Sequence, residues 1–159
     1  MSPGVFALSL AAAIASAAVG GVFYAFSSFV MPGLARLPRE QGIAAMQSIN
    51  VTAVRPPFML LFVGTAAVCV ALIVWAILPV GDRPTVLLIV GSALYFVGAF
   101  ALTMAKNVPL NDALDATDPA GRDAATVWAG YLKRWLAWNH VRGAASLAAA
   151  AAFTVALTL

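Results

Sequence analysis

The feature that most limits what this chain can fold into is a series of long stretches with no charged side chain: residues 3–30, 58–78 and 85–105. A further stretch, 141–159, is nearly all Ala, Val and Leu. A helix needs about 20 apolar residues to cross the hydrocarbon core of a bilayer. Over the whole chain of 159 residues only 9% are charged and 63% are hydrophobic, whereas a soluble domain has about 25% charged residues. Too few charges remain to coat a water-facing surface, so lipid is the main solvent. The expected fold is therefore all-α, an integral membrane four-helix bundle forming a single transmembrane domain over 1–159, with spans at about 3–30, 58–78, 85–105 and 141–159.

The connections follow from breakers and periodicity. Met31-Pro32-Gly33 is expected to end the first span, because proline and glycine together do not continue a helix. Residues 40–51 carry Ile43, Met46 and Ile49 at helical spacing and predict a short interfacial helix in loop 1. Arg55-Pro56-Pro57 breaks the chain again, and Pro79 to Pro84 is expected to be a tight turn. Lys106 to Thr117 is expected to be polar and irregular around Pro109. Asp118-Pro119 matches an N-cap followed by proline at the first helical position. From there a long amphipathic helix is expected to lead into the fourth span.

Charge sets the orientation. Arg36, Arg39, Arg55, Lys106, Arg122, Lys133, Arg134 and Arg142 fall on one side of this topology, and only Arg83 falls on the other. The side rich in Lys and Arg faces the cytoplasm, which predicts a multi-pass protein of the cell membrane with both termini outside. The stretch before the first span lacks the basic region of a cleaved signal, so that span is expected to be retained. The net charge of +3 is explained by topology, and no nucleic-acid partner is implied. Cys69 is the one cysteine, so no internal disulfide forms, and within an apolar run it is expected to be a buried, inert thiol. Small-residue stripes at Ala11, Ala15 and Ala18, and at Ala144, Ala148 and Ala152, suit close helix packing in lipid.

Polar side chains gather at the predicted cytoplasmic ends. They are Tyr24, Ser27 and Ser28 after the first span, Asn50 and Arg55 before the second, Lys106, Asn107 and Asn111 after the third, and Asn139, His140 and Arg142 at the fourth. In an antiparallel bundle these ends lie together. Trp128, Leu132, Trp135, Asn139 and Arg142, with separations of four, three, four and three, share one helix face. With Tyr131 they suggest a flat aromatic slot ending in Asn and Arg donors, although an interfacial aromatic belt accounts for the same pattern. Trp138 lies on another face and fits such a belt. Histidine gains and loses a proton near neutral pH, which makes His140 a candidate general base. It diverges from Asn139 by about 100° on a helix. One histidine and one cysteine are a poor donor set for a metal, so none is expected. No phosphate loop, Ser-His-Asp series or cysteine pair is present.

Gly21-Val22-Phe23-Tyr24-Ala25-Phe26 with Val30-Met31-Pro32, then Asn107-Val108-Pro109-Leu110-Asn111, then Trp128, Tyr131, Trp135 and Asn139-His140-Val141-Arg142 resemble, in the same order over nearly the whole chain, the anthrone oxygenase-like family of small membrane proteins. The resemblance implies a four-helix membrane protein. For the characterised fungal members it implies oxidation of an anthrone to an anthraquinone by dioxygen without an evident cofactor. The chemistry needs a base, donors for an oxyanion and a flat apolar slot. His140 or a water would be the base. Asn107, Asn111, Asn139 and Arg142 would be the donors, and Trp128, Tyr131 and Trp135, with Tyr24 and Arg55 nearby, would bind the substrate. The alternative is a non-catalytic membrane protein that binds a lipid, a quinone or a membrane partner. Loops this short offer few contacts to a soluble partner, so a protein partner is expected to be another membrane protein or a second copy of the chain, and the expected ligand is a hydrophobic aromatic small molecule or a lipid. A proton-coupled carrier is disfavoured, because the spans carry no acid or base at mid-membrane.

Overall fold

The computed structural model describes residues 1–77 and 85–159. The expected turn from Pro79 to Pro84 lies outside the described residues. Within them the chain is all-helical, in five continuous stretches: α1 (Pro3–Ala35), α2 (Arg39–Ala53), α3 (Pro56–Ile77), α4 (Val86–Asp115) and α5 (Ala124–Ala156). Three of them, α1, α3 and α4, are long and apolar enough to cross a membrane. The α5 helix carries Lys133, Arg134, Asn139, His140 and Arg142 along its length and is not among them.

Two helices run further than their sequence suggests, and for one physical reason. The α1 helix does not stop at Val30 but widens into a π turn over Phe26–Val30, in which the Met31 N–H donates to the Phe26 carbonyl five residues back. Proline is disruptive inside an α-helix because it lacks an N–H and crowds the carbonyl four residues earlier. A π turn has already shifted that bond. Pro32 then enters in the first turn of Met31–Ala35, where proline is tolerated. The same device recurs on α4, with π turns at Phe96–Ala101 and Thr103–Asn107. Pro109 follows in the first turn of Val108–Asp115. The segment expected to be irregular from Lys106 is thus helical to Asp115.

The start of α5 is also displaced. Asp118 does not cap a helix; its carboxylate accepts from the Ala120 N–H at 3.0 Å, an Asx-type turn. The Gly121 N–H closes on the Asp118 carbonyl at 2.9 Å, and the helix begins only at Ala124. The α2 helix forms where expected, at Arg39–Ala53. It buries Gly42, Ile43, Met46 and Asn50. Gly42 is needed there, because a Cβ would stand 3.0 Å from the Leu34 carbonyl and 3.1 Å from the Trp128 ring.

The long helices pack antiparallel. Gly20 of α1 faces Ser146 and Leu147 of α5, and Gly143 faces Phe23. Gly91 and Gly98 of α4 face Phe153 and Ala145. Phe62 of α3 meets Tyr95 of α4, whose hydroxyl donates to the Phe62 carbonyl at 3.0 Å. Small residues do line the α1–α5 seam, but not those anticipated. Ser9, Ala12, Ser16 and Gly20 on α1 and Gly143, Ser146, Ala149 and Ala150 on α5 are buried. Ala11, Ala18, Ala144 and Ala148 are exposed, and Ala15 and Ala152 are half-buried. Alanine recurs on every face of such helices, so it does not mark the seam; the interspersed serines and glycines do.

Two apolar cores result. One lies among α1, α3, α4 and the later half of α5, and includes Phe23, Phe62, Cys69, Tyr95 and Phe153. The other lies at one end of the bundle, where α2, the end of α4 and the first half of α5 meet around Met31, Ile43, Met46, Leu114, Trp128, Tyr131 and Trp135.

Helix approach in the first core is tightest at Gly98, where an added Cβ would lie 2.5 Å from the Ala145 Cβ, while Gly64 on α3 has nothing within 4 Å. Gly98→Ala is expected to lower stability by about 1–3 kcal/mol through overpacking. Gly64→Ala is expected to be neutral or to gain up to about 1 kcal/mol from helix propensity. Thermal unfolding of the detergent-solubilised chain checks both.

Candidate functional site

The antiparallel packing brings the end of α1, the end of α4 and the middle of α5 together. On α4, Thr103, Asn107 and Asn111 are four residues apart and share a face. On α5, Trp128, Tyr131, Trp135, Asn139 and Arg142 do the same, and all five are buried. The two rows meet along a line of polar contacts that separates the two apolar cores.

At the α2 end, Asn111 Oδ1 accepts from both the Tyr131 hydroxyl and the Trp135 Nε1–H, each at 2.9 Å. Burial pushes the Tyr131 phenol up from its ordinary range, with Asn50 and the Arg142 charge pulling the other way. It therefore stays protonated and serves as a donor. Deeper in, Asn107 is fully buried and donates from Nδ2 to the Trp135 carbonyl at 3.3 Å. Its Oδ1 has no hydrogen-bond partner.

Arg142 stands at the inner end of the line. It is 4% exposed. Its guanidinium lies 4.3 Å from the Phe23 ring centroid and 5.1 Å from that of Trp135, one ring from each core. Nη1 donates to Thr103 Oγ1 at 3.1 Å and Nη2 to Asn139 Oδ1 at 2.7 Å, while the buried Nε has no partner. No carboxylate pairs with it; the one ion pair among the described residues is the exposed Arg39–Glu40 contact. Two ring faces offset about 0.5–2 kcal/mol each and hydrogen bonds to a charge about 1.5–3 kcal/mol each. Neither supplies the opposite charge that a buried ion normally has.

Asn139 holds Arg142 in place. Its amide nitrogen donates to the Phe23 carbonyl at 2.7 Å and to Ser27 Oγ at 2.8 Å, both on α1, which leaves its oxygen for the guanidinium. The α2 helix closes the other end of the line. Gln47 donates to the Leu114 and Thr117 carbonyls at 2.9 Å, and Asn50 to Asp115 at 3.1 Å.

Of the residues singled out from the sequence, the structure brings Asn107, Asn111, Trp128, Tyr131, Trp135, Asn139 and Arg142 together. Tyr24, 65% exposed, is turned away from them. Arg55 is exposed at the turn before α3. His140 is exposed and touches Ser27 Oγ through Nδ1 at 2.8 Å, on the far side of Asn139 from the guanidinium. The three aromatic rings do not leave an open slot. Trp128 stacks on Tyr131 at 5.7 Å and 12°, Tyr131 on Trp135 at 6.1 Å and 26°, and all three are packed into the second core. Two surface grooves, about 450 and 170 Å³, are lined by apolar residues of α3 and α1 such as Met59, Leu60 and Ala15, and include no residue of the polar line. Sequence reasoning passed over Thr103, although its spacing of four from Asn107 put it on the same face. It also gave Ser27 no role, because the π turn that orients this stretch leaves no mark in periodicity. Among the described residues no group of three or more His, Cys, Asp or Glu could hold a metal ion.

These features define an all-helical membrane protein with a buried, acid-free cationic site at one end of its bundle. A family model described as Anthrone oxygenase matches residues 58–152. The match covers more than half of the chain, and the chain belongs to that family. It takes in every member of the polar line on α4 and α5, and leaves α1 outside. Comparison with curated proteins and with solved structures gives no match.

The contacts predict opposite effects for two neighbours. Asn139→Leu strips partners from Arg142, Ser27 and the Phe23 carbonyl together, and is expected to lower stability by about 1–3 kcal/mol. Arg142→Met removes a charge that has no counter-ion and is expected to be no less stable than the parent. Denaturant titration of the two variants in one detergent gives the comparison.

Proposed function

We propose that this protein oxidises a flat, phenol-bearing aromatic substrate of the anthrone class with dioxygen, holding the substrate's anionic oxygen against Arg142. The single observation that carries the reading is a buried guanidinium with no acidic partner and an unused N–H, in the same polar line as an unpartnered Asn107 oxygen. Family membership supports the same direction. Preorganised donors aimed at developing negative charge are commonly the largest catalytic term in a water-poor site.

The chemistry balances without further oxidant. A C–H beside an aryl ketone loses its proton to water or hydroxide, and the charge moves onto the ketone oxygen, where Arg142 stabilises it. The anion gives one electron to dioxygen. The resulting radical and superoxide combine into a C–O bond, and the peroxide anion takes a proton back from water. The hydroperoxide then loses water and leaves a new carbonyl, so that one oxygen atom enters the product and the other leaves as water. Arg142 holds the anionic oxygen, the Asn107 amide oxygen accepts from a substrate hydroxyl, Thr103 and Asn139 hold Arg142, and Trp135 and Phe23 exclude water. His140, turned toward Ser27, is not given the role of base.

We further propose that the second half of α5 makes a fourth pass. Its antiparallel packing against α1 and α4 supports this. The polar line would then lie near the cytoplasmic interface, with both termini outside, as the bias of basic residues requires.

The occluded stacking of Trp128, Tyr131 and Trp135 leaves no slot among the rings and weighs against turnover there, which favours one alternative, a non-catalytic membrane protein that serves a membrane partner or binds a quinone or lipid elsewhere on its surface. Purified protein in nanodiscs, given a hydroxyanthrone and oxygen, is expected to form quinone well above the uncatalysed rate. Arg142→Met is expected to lose about 10²–10³ of that rate, and Arg134→Ala, exposed elsewhere on α5, to keep it. Quinone appearing equally fast with and without protein, with tight quinone binding retained, selects the binding role instead.

A further inference from the structure

The hydrogen bonds that fix Arg142 do not stop at Asn139 but continue to the surface through Ser27 to His140. We infer that Ser27 is a positioning residue for the Arg142 site, and that His140, by gaining or losing a proton, sets whether Ser27 can hold Asn139. The inference rests on the reading of Arg142 as an anion-holding group.

Counting donors and acceptors gives the reason. Both hydrogens of the Asn139 amide are used, one on the Phe23 carbonyl and one on Ser27 Oγ. Ser27 Oγ is therefore an acceptor toward Asn139, and its own hydrogen needs an acceptor. His140 Nδ1, 2.8 Å away, is one only when the imidazole is neutral with its proton on Nε2. A protonated imidazole donates from both nitrogens, so Nδ1–H turns on Ser27 and the hydroxyl hydrogen must go elsewhere. The usual refuge for a helical serine is the carbonyl four residues back, here that of Phe23. That oxygen already receives the Asn139 amide and a share of the Phe26 N–H, which also reaches the Val22 carbonyl. Protonating His140 thus makes the Ser27 hydroxyl compete for an oxygen already in use, and the Asn139 amide that holds the guanidinium loses one of its two ties to α1.

The other groups near His140 do not offer an alternative. From α1 the side chain that meets it is Ser27, and Tyr24, three residues earlier, is exposed. From α4, Lys106 reaches this part of α5 but lies over the Trp138 ring at 5.3 Å. On α5 itself the charged neighbour is Arg142, which faces inward. A neutral imidazole thus leaves the chain of hydrogen bonds intact, and a protonated one breaks it.

The test uses the full chain in nanodiscs with fluorinated tryptophan. The Trp135 fluorine line, assigned through Trp135→Phe, senses the guanidinium lying 5.1 Å from its ring. In the parent protein this line is expected to shift between about pH 8 and about pH 5. The shift is expected to vanish in Ser27→Ala and in His140→Asn and to return in Ser27→Thr. A line that stays put in the parent, or that still titrates in Ser27→Ala, overturns the inference. Binding of anthraquinone-2-sulfonate, whose charge is constant over this range, is the second arm. Its affinity is expected to fall about fivefold on acidification, the worth of one hydrogen bond, and to lose its pH dependence in Ser27→Ala. Tighter binding at low pH overturns the inference, because it would mean that the added charge acts by simple attraction. A titrating Trp135 line with no sulfonate binding at any pH overturns the anion-site reading and leaves the coupling standing.

Discussion

A guanidinium gives up a large hydration energy when it enters a protein interior, and Arg142 does so without an acid to meet it. Everything around this side chain is arranged to make that tolerable. Two aromatic faces, one from each core, lie against the guanidinium. A hydroxyl from α4 and an amide from α5 take two of its nitrogens. The amide is itself tied to α1. Three helices are therefore fixed relative to one another through one cation. Were stability the only requirement, an apolar residue of similar volume would serve as well or better. The charge, with one N–H unused, is what the proposed function draws on.

Holding that charge requires side chains in places a regular helix does not supply. In lipid every backbone polar group must be satisfied within the protein, so a helix cannot simply unwind to aim a side chain. The π turns are the compromise. They change the facing of the residues that follow while keeping the hydrogen-bond ladder running. Ser27 sits in one of them, and Thr103 and Asn107 open and close another. The same wide turns absorb Pro32 and Pro109, which is why both helices extend beyond the points where proline was expected to stop them.

This explains which parts of the molecule could be taken from the sequence. The apolar lengths of α1, α3 and α4 are fixed by the thickness of a bilayer, so composition alone reveals them. The row from Trp128 to Arg142 follows ideal helical spacing, and its common face was legible for the same reason. The π turn at Phe26–Val30 shifts register by a fraction of a turn with no compositional mark, so the role of Ser27 was hidden, whereas Thr103 was passed over although its spacing from Asn107 marked it. Asp118-Pro119 has the composition of a helix start, but the carboxylate bonds two residues on and makes a turn. The buried seam between α1 and α5 was masked by abundance, since alanine is as common on the outer faces as on the inner one.

The shape of the polar line also narrows what the charge is for. Phe23 and Trp135 cover the guanidinium, so under the proposed function a ligand oxygen would have to reach it between two aromatic rings. A hydrated inorganic anion would have to shed its water there and would receive few donors in return, because Thr103 and Asn139 are already committed. An oxygen attached to a flat carbon framework loses far less, since its charge is spread over the ring system and the framework replaces water with the aromatic contacts that line the approach. The unpartnered Asn107 carbonyl adds an acceptor to the same line, which suits a ligand carrying a hydroxyl as well as an anionic oxygen. Under the proposed function these residues would select a planar phenolic or enolic anion, in which the electrons needed to reduce dioxygen are already at hand.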